Sequence, residues 1–203
     1  LVAGFSALRA SSDGGETWVA HQGTGGSELG QVDLSEESGS APEAVVAGGL
    51  ISGSLFAWSD DGGTVFEGAV VTGTCLGNDM RVDLSDAAEH PWVWGGCRGD
   101  GTVFRSEDRG HTWAQVAKLA PAWLFAVVGL PGETGAWAAS GYGLKRVSPD
   151  GTVTDVAFPD DAVSAVAVSP AFEGDGTAYV AVSGQGWYRT EDHGESWTEL
   201  ERP

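Results

Sequence analysis

Short apolar runs recur along the whole chain, and glycine-rich polar segments separate them. Between positions 162 and 169, valine alternates with alanine or serine, which is the period-two pattern of a half-buried β-strand. No segment shows a convincing helical period. Glycine accounts for 32 of the 203 residues, and it occurs singly or in pairs between the apolar runs, where it favours tight turns. The pattern predicts an all-β fold.

One polar octapeptide recurs between these runs, with the pattern Ser/Thr-x-Asp-x-Gly-x-Thr/Ser-Trp, and each copy is called a box below. Three copies are near-complete, SSDGGETW from Ser11, SEDRGHTW from Ser106 and TEDHGESW from Thr190. SDDGGTVF from Ser59 is weaker, and SPDGTV from Ser148 keeps only the Ser and the Asp. The steps between starting positions are 48, 47, 42 and 42 residues. A period of about 40–50 residues is typical of β-propeller blades.

The residue types in the box suit a β-hairpin tip. An Asp side chain readily accepts a hydrogen bond from a backbone N–H two residues on, and Gly adopts backbone angles that other residues resist. Trp then anchors the next strand by burying a large ring. An EF-hand-like calcium loop would need more acidic ligands and a terminal Glu, so the structural role is preferred. The predicted structural positions are Ser11, Asp13, Gly15, Thr17, Trp18, Ser59, Asp61, Gly63, Ser106, Asp108, Gly110, Thr112, Trp113, Ser148, Asp150, Thr190, Asp192, Gly194, Ser196 and Trp197.

The three near-complete boxes resemble the Asp-box, or BNR, repeat. That repeat occurs in sialidases, sortilin-type receptors, some xyloglucan-acting glycoside hydrolases and a photosystem II assembly factor. The resemblance implies a β-propeller of four-stranded blades, with strands A to D and the box in each C–D turn. It is specific for the hairpin and uninformative about function, because enzymes and binding proteins share the same box.

The boxes divide a single propeller domain, 1–203, into about five blades. Their approximate spans are 1–21, 28–71, 78–117, 122–158 and 161–201, and strand D of the second blade is expected over Val65–Val71. The first blade has no segment that can serve as strand A. Two alternatives follow: the chain is part of a propeller of six or seven blades, completed elsewhere or by another chain, or it closes with five blades of which one has three strands. The first is preferred because exposed sheet edges are a liability.

Charge and cysteine content narrow the classes of protein. Asp and Glu number 29 against 10 Lys and Arg, giving a net charge of −19. This balance argues against nucleic acid and anionic membranes as partners. The acidity serves either solubility or a cationic partner or ion. No apolar stretch approaches the roughly 20 residues of a membrane span.

Cys75 and Cys97 are the two cysteines, and they are expected in the D–A and B–C loops of the third blade, on one face. A disulfide is therefore predicted, with two buried free thiols as the alternative. The disulfide implies a secreted, periplasmic or cell-surface protein. The histidines show no metal-ligand spacing, and no Gly-rich phosphate loop is present, so no metal and no cofactor is expected.

The resemblance implies that the binding face is the one formed by the D–A and B–C loops, because propellers of this kind usually bind there; the boxes lie on the opposite face. Candidate ligand-binding residues there are Glu28, Asp79, Arg81, Trp123, Asp160 and Asp161. They would form an acidic mouth that suits a basic peptide or a carbohydrate. The alternative is that they are ordinary solvated loop residues.

The sequence provides no catalytic constellation. The arginine triad and the Tyr–Glu pair implied by a sialidase resemblance are not recognisable, and no G-x-S-x-G elbow occurs. A glycosidase needs only two carboxylates, which an acidic chain does not exclude. Three hypotheses follow: a non-catalytic extracellular binding or scaffold module, an Asp-box glycoside hydrolase, and an assembly factor that docks on a larger protein complex.

Overall fold

The structure, a computed structural model, describes residues 2–4, 7–11, 13, 15–20, 31–34, 44–51, 54–60, 65–76, 80–84, 92–119 and 123–201. These residues form five β-sheets and one short helix. Sheet 1 consists of β1 (Val2–Gly4), β2 (Ala7–Ala10) and β3 (Val19–Ala20). Sheet 2 consists of β4 (Gln31–Leu34), β5 (Ala44–Ile51), β6 (Ser54–Ser59) and β7 (Glu67–Gly68).

In the remaining sheets the consecutive strands pair antiparallel, and sheet 3 carries β8 as an additional edge strand. Sheet 3 consists of β8 (Val70–Thr72), β9 (Met80–Asp83), β10 (Val93–Cys97), β11 (Thr102–Ser106) and β12 (Thr112–Lys118). Sheet 4 consists of β13 (Leu124–Gly129), β14 (Ala136–Ser140), β15 (Gly143–Val147) and β16 (Val153–Ala157). Sheet 5 consists of β17 (Val163–Val168), β18 (Thr177–Val182), β19 (Gly186–Glu191) and β20 (Thr198–Glu199), with α1 (Phe172–Asp175) between β17 and β18.

The hydrophobic core lies between consecutive sheets. Among the described residues, buried side chains form three clusters, one at each boundary from sheet 2 to sheet 5. Phe56 of sheet 2 stacks on Trp113 of sheet 3 with ring centroids 4.0 Å apart. From sheet 2 to sheet 5, each sheet therefore packs face to face against the next, which is how the blades of a propeller pack. The all-β prediction is confirmed.

Strand D of the second blade differs from its prediction. The expected single strand over Val65–Val71 is divided at Ala69, whose N–H donates to the Phe56 carbonyl at 2.9 Å. β7 pairs with β6 of its own sheet, whereas β8 pairs in parallel with β12 of sheet 3. The Val70 N–H also donates to the His111 carbonyl at 3.0 Å. Contacts with sheet 3 therefore draw the end of this strand away from sheet 2.

The helix α1 was not expected from the sequence. It is one turn long, and only Phe172 among its residues is buried. Gly176 ends the helix in the left-handed conformation, with φ 58°, and its N–H donates to the Phe172 carbonyl. Because a single turn is too short to display a helical period, the apolar pattern gave no sign of it.

The three near-complete boxes share one hydrogen-bond network. The hydroxyl of the first residue accepts from the Gly N–H four residues on, at 2.7, 2.8 and 3.0 Å in the boxes of Ser11, Ser106 and Thr190. The Asp carboxylate accepts the N–H and the hydroxyl of the following Thr or Ser, also four residues on. The Trp indole N–H donates to the Gly carbonyl at 3.0, 2.8 and 3.2 Å.

The aspartate of the complete boxes accepts from an N–H further along the chain than predicted. The sequence predicts a bond to the N–H two residues on. Among the box aspartates that the structure describes, that bond is seen only in the shortest box, where the Thr152 N–H donates to Asp150 Oδ1 at 2.9 Å. Ser148 and Thr152 close that turn through their backbones at 2.9 Å. The complete boxes reach further because they have two more residues between the Asp and the Thr or Ser that it binds. Ser59 of the second box is buried at the end of β6, while Asp61 and Gly63 lie outside the described residues.

Candidate binding face

The turn between β14 and β15, residues 140–143, organises the face opposite the boxes. Gly141 N–H donates to the Trp123 carbonyl at 3.0 Å, and Gly143 N–H donates to the Asp161 carbonyl at 2.8 Å. A single turn therefore connects the segment before β13 with the segment before β17. Gly143 adopts φ +88°, and a Cβ at this position would lie 2.6 Å from the Phe158 carbonyl oxygen, so the close approach requires glycine.

Large apolar side chains are exposed at this turn. Trp123 is 62% exposed and Tyr142, at the tip of the turn, is 52% exposed. In the segment before β17, Asp160 is exposed and Asp161 is half-buried. Two of the predicted ligand-binding positions, Trp123 and Asp161, are therefore brought to one turn. Tyr142 was not among the predicted positions. The sequence did contain a signal for Tyr142, since it is a single aromatic residue between two glycines at a predicted turn.

Neighbouring loops join the same face through backbone bonds. Leu124 N–H donates to the Arg98 carbonyl at 3.3 Å, and Ser183 N–H donates to the Ala162 carbonyl at 2.8 Å. B–C turns of sheets 3, 4 and 5 are thus each tied to the start of a strand A. This continuous framework holds the exposed side chains on a rigid base, as binding loops on a scaffold require.

Arg81, another of the predicted ligand-binding residues, lies in β9. Its side chain is partly buried, and Nε donates to the Phe125 carbonyl at 3.2 Å. Arg98 lies over the Phe125 ring, 5.9 Å from its centroid. Arg81 therefore joins sheet 3 to sheet 4. Glu28 and Asp79 lie outside the described residues.

The predicted disulfide is present on this face. Cys75 and Cys97 are bonded, with Cα atoms 5.7 Å apart, and the bond ties the loop after β8 to the end of β10. Leu76, the next residue in that loop, is 70% exposed. The loop therefore presents another apolar side chain beside the fixed cysteine pair.

Cys75, Cys97 and Asp100 form a group with the spacing of metal ligands among the described residues. The two sulfur atoms are bonded to each other, so neither is a thiolate. Asp100 accepts from Lys118 Nζ at 2.9 Å and from the Thr102 hydroxyl at 2.8 Å. Burial raises the pKa of Asp100, but the bonds from Lys118 and Thr102 outweigh it and lower the pKa. This group does not fit a metal ion.

Comparisons with known proteins establish the fold class. No protein-family model and no curated protein matches the chain. A solved structure of YCF48 bound to a D1 peptide superposes with a TM-score of 0.65 at 17% identity, covering 99% of this chain and 64% of that one. The GH74 enzyme of Niastella koreensis gives 0.65 at 22% identity, covering 97% and 29%. The extracellular domain of a putative one component system from B. thetaiotaomicron gives 0.65 at 10% identity, covering 93% and 25%.

The protein is therefore a β-propeller by fold, and it spans about two thirds of the YCF48 chain that it resembles. Propellers that bind a peptide and propellers named as enzymes share this fold, so the fold itself assigns no catalytic activity. Within the described residues, no helix is both long enough and apolar enough to span a membrane.

Proposed function

We propose that this protein is a non-catalytic binding or scaffold module of the Asp-box kind, and that it holds a protein segment on the face around the turn 140–143. The observation that carries the proposal is the pair of exposed aromatic residues, Trp123 and Tyr142, held at one hydrogen-bonded turn beside Asp160 and Asp161. Aromatic side chains supply much of the energy of protein interfaces, and here they stand on a framework that loses little entropy on binding.

The charge of the molecule indicates the chemistry of the segment. A net charge of −19 attracts cationic partners and repels anionic ones over the range of the Debye length. Exposed Trp and Tyr rings also bind Lys and Arg through cation–π contacts. A basic segment, rich in Lys or Arg, therefore suits this face. That the YCF48 neighbour holds a peptide supports the use of this fold for such a purpose.

The disulfide between Cys75 and Cys97 supports a compartment in which disulfides persist. We place the protein outside the reducing cytoplasm, as a secreted, periplasmic or cell-surface protein. Extracellular domains among the structural neighbours support this placement.

The proposal is tested on an array of 15-residue peptides whose net charge is graded from negative to positive. We expect binding to increase with positive charge and to weaken at least about tenfold in a Trp123→Ala/Tyr142→Ala variant, a loss of ~1.4 kcal/mol. Trp187→Ala is the matched control, because Trp187 is also exposed but lies outside the turn. Binding that survives the double substitution would overturn the assignment of this face.

A soluble-polysaccharide panel with a reducing-sugar readout distinguishes the alternative, a glycoside hydrolase that uses a carboxylate pair on this face. Release of reducing sugar that Asp160→Asn or Asp161→Asn abolishes would overturn the non-catalytic proposal. Glycan binding without cleavage and without peptide binding would instead favour carbohydrate recognition.

A further inference from the structure

The backbone of the turn between β14 and β15 offers hydrogen-bond acceptors to a ligand rather than N–H donors. The Gly141 and Gly143 N–H groups donate to carbonyls of the segments before β13 and β17, at 3.0 and 2.8 Å. The Tyr142 N–H donates to the Ser140 hydroxyl at 3.2 Å. Within the described residues, no group donates to the carbonyl oxygens of Gly141 and Tyr142. A ligand that forms hydrogen bonds with this backbone must therefore be a donor.

The two carboxylates of the segment before β17 form no ion pair with any described residue. Asp161 is fixed beside the turn by its carbonyl, which accepts from the Gly143 N–H, and Asp160 precedes it. Elsewhere in the described chain, carboxylates do pair with arginine or lysine, at Asp100, Glu107, Glu133, Asp155 and Glu191. The chain has 29 acidic residues against 10 Lys and Arg, so it cannot neutralise all of its carboxylates. Asp160 and Asp161 are therefore open to a cation from a partner.

At two places among the described residues, the molecule holds a cation of its own against an aromatic ring. The guanidinium carbon of Arg105 lies 5.6 Å from the centroid of the Trp94 ring, and the group pairs with the Glu107 carboxylate at 2.5 Å. In sheet 5, Arg189 repeats the arrangement, 5.8 Å from the centroid of a tyrosine ring and 2.6 Å from a glutamate oxygen. Each arrangement thus combines an aromatic face, a guanidinium and a carboxylate.

Lysine is not used in this way in the described part of the chain. Lys118 and Lys145 each pair with a carboxylate, and neither lies over an aromatic ring. The difference has a physical reason. A guanidinium is planar and weakly hydrated, so its face stacks on a ring while the N–H groups at its edge still donate. An ammonium group is compact and strongly hydrated, and contact with a ring removes part of that hydration.

We propose that the candidate binding face takes an arginine side chain of its partner segment in preference to a lysine. The guanidinium stacks on Trp123 or Tyr142 and donates to the free carbonyl oxygens of the turn and to the Asp161 carboxylate. Both rings are exposed, and no described arginine lies over either of them. The face thus supplies the ring and the carboxylate of the arrangement seen at Arg105 and Arg189, and the partner supplies the cation. The preference for arginine rests on the proposed function, because it concerns the same face.

Three peptides of 15 residues test this preference. They consist of Gly and Ser and carry arginine, lysine or citrulline at the same three positions, and fluorescence anisotropy at physiological ionic strength measures their affinities for the full chain. We expect the arginine peptide to bind at least about fivefold more tightly than the lysine peptide, which has the same charge. The citrulline peptide keeps a planar end group without the charge, so it should bind at least about tenfold more weakly than the arginine peptide.

The ratio of the arginine and lysine affinities separates stacking from attraction by the net charge. In the Trp123→Ala/Tyr142→Ala variant the ratio should fall below about two, because long-range attraction does not distinguish peptides of equal charge. Trp187→Ala is the control and should keep the ratio, since this exposed tryptophan lies outside the turn. Added NaCl should weaken both peptides by similar factors and leave the ratio unchanged.

Equal affinities for the arginine and lysine peptides, both lost in the double variant, would overturn the preference for arginine while the binding face itself stands. A preference that survives the double substitution would also overturn it, because the two rings would then not hold the guanidinium. Citrulline that binds as tightly as arginine would contradict the need for a cation. If none of the three peptides binds, the proposed function fails together with the preference.

Discussion

The Asp83 carboxylate, on the innermost strand of sheet 3, accepts a hydrogen bond from the Gly129 N–H of sheet 4 at 2.6 Å. The same relationship occurs one blade earlier, where Asp33 accepts from the Leu84 N–H at 2.8 Å. Asp83 pairs with Trp94 and Val128 pairs with Trp137, so valine replaces the aspartate at the equivalent position of sheet 4. A carboxylate therefore bridges the two earlier boundaries, whereas Val128 offers no such acceptor at the boundary between sheets 4 and 5.

Removing this carboxylate should loosen sheet 3 from sheet 4. We expect Asp83→Ala to lower the free energy of unfolding by about 1.5–3 kcal/mol, since it deletes a charged acceptor and leaves the Gly129 N–H unpaired between two sheets. Urea unfolding at pH 7 measures the loss. Asp155→Ala is the control, because Asp155 forms an exposed ion pair with Lys145 and should cost less than about 1 kcal/mol. Equal losses in the two variants would contradict the role of Asp83.

The contact between Gly96 and Leu124 predicts a compensating pair of substitutions. Gly96→Ala should destabilise by roughly 1–3 kcal/mol, because the new methyl group collides with Leu124. Leu124→Ala should also destabilise, by roughly 2–5 kcal/mol, since it leaves a cavity. In the double variant the methyl group introduced by Gly96→Ala occupies part of that cavity, so the combined loss should be smaller than the sum. Strict additivity in urea titrations would show that the two residues do not share this space.

The box aspartates should make stability depend on acid pH. Bonds from the Ser196 hydroxyl, the Thr190 hydroxyl and the Ser196 N–H lower the pKa of Asp192 to about 2. Because the unfolded chain has a carboxyl pKa of about 3.9, this stabilisation is complete above that value and is lost as the pH falls through about 2. The stability difference between the wild type and Asp192→Asn should shrink between pH 4 and 2. In Ser196→Ala, NMR titration should find the Asp192 pKa closer to its ordinary value, and an unchanged titration would rule out the proposed cause.

Backbone conformation at the fourth box position offers a stabilising substitution. Arg109 has φ 57°, in the left-handed region, whereas the first two boxes have Gly14 and Gly62 at this position of the sequence. The left-handed conformation costs a non-glycine residue about 1–2 kcal/mol. A glycine removes this cost from the folded state, but it also raises the conformational entropy of the unfolded chain, which offsets part of the stabilisation. Arg109→Gly should therefore stabilise by about 0.5–1 kcal/mol relative to Arg109→Ala in thermal or urea unfolding. Both variants remove the arginine side chain. Equal free energies of unfolding for Arg109→Gly and Arg109→Ala would therefore contradict the conformational explanation.

Most of the strands could be predicted because a strand is marked by a local feature of the sequence, the alternation of residue types between turn residues. In sheet 5, the alternation of Val with Ala or Ser over positions 162–169 places β17 within a residue of its position in the structure. The division of the strand over Val65–Val71 was not predictable, since the pairing partner of Val70 lies at Thr112, far along the chain. Likewise, the alternation in β18 and β19 indicates which side chains share a face and says nothing of what covers it, so the exposure of Trp187 emerged only from the assembled sheets.

The candidate binding face, like the strands, could be predicted from the sequence only in part. Trp123 and Asp161 were selected from their places before two A strands, and the turn 140–143 joins those places. The role of Arg81 was not accessible, because the Phe125 carbonyl that it contacts belongs to the next sheet. Tyr142 was missed because a single aromatic residue between glycines is a turn signal as much as a binding signal.

The strand pairing of β8 has a consequence for how the molecule opens. β7 belongs to the ladder of sheet 2, and β8, two residues further on, belongs to the ladder of sheet 3. These two sheets cannot separate without rupturing a main-chain ladder, and the Cys75–Cys97 bond closes the chain just beyond it. In the described residues, sheets 3, 4 and 5 share no such strand. Amide exchange should therefore reveal sheets 2 and 3 as one cooperative foldon, with the later blades detaching by smaller sub-global openings.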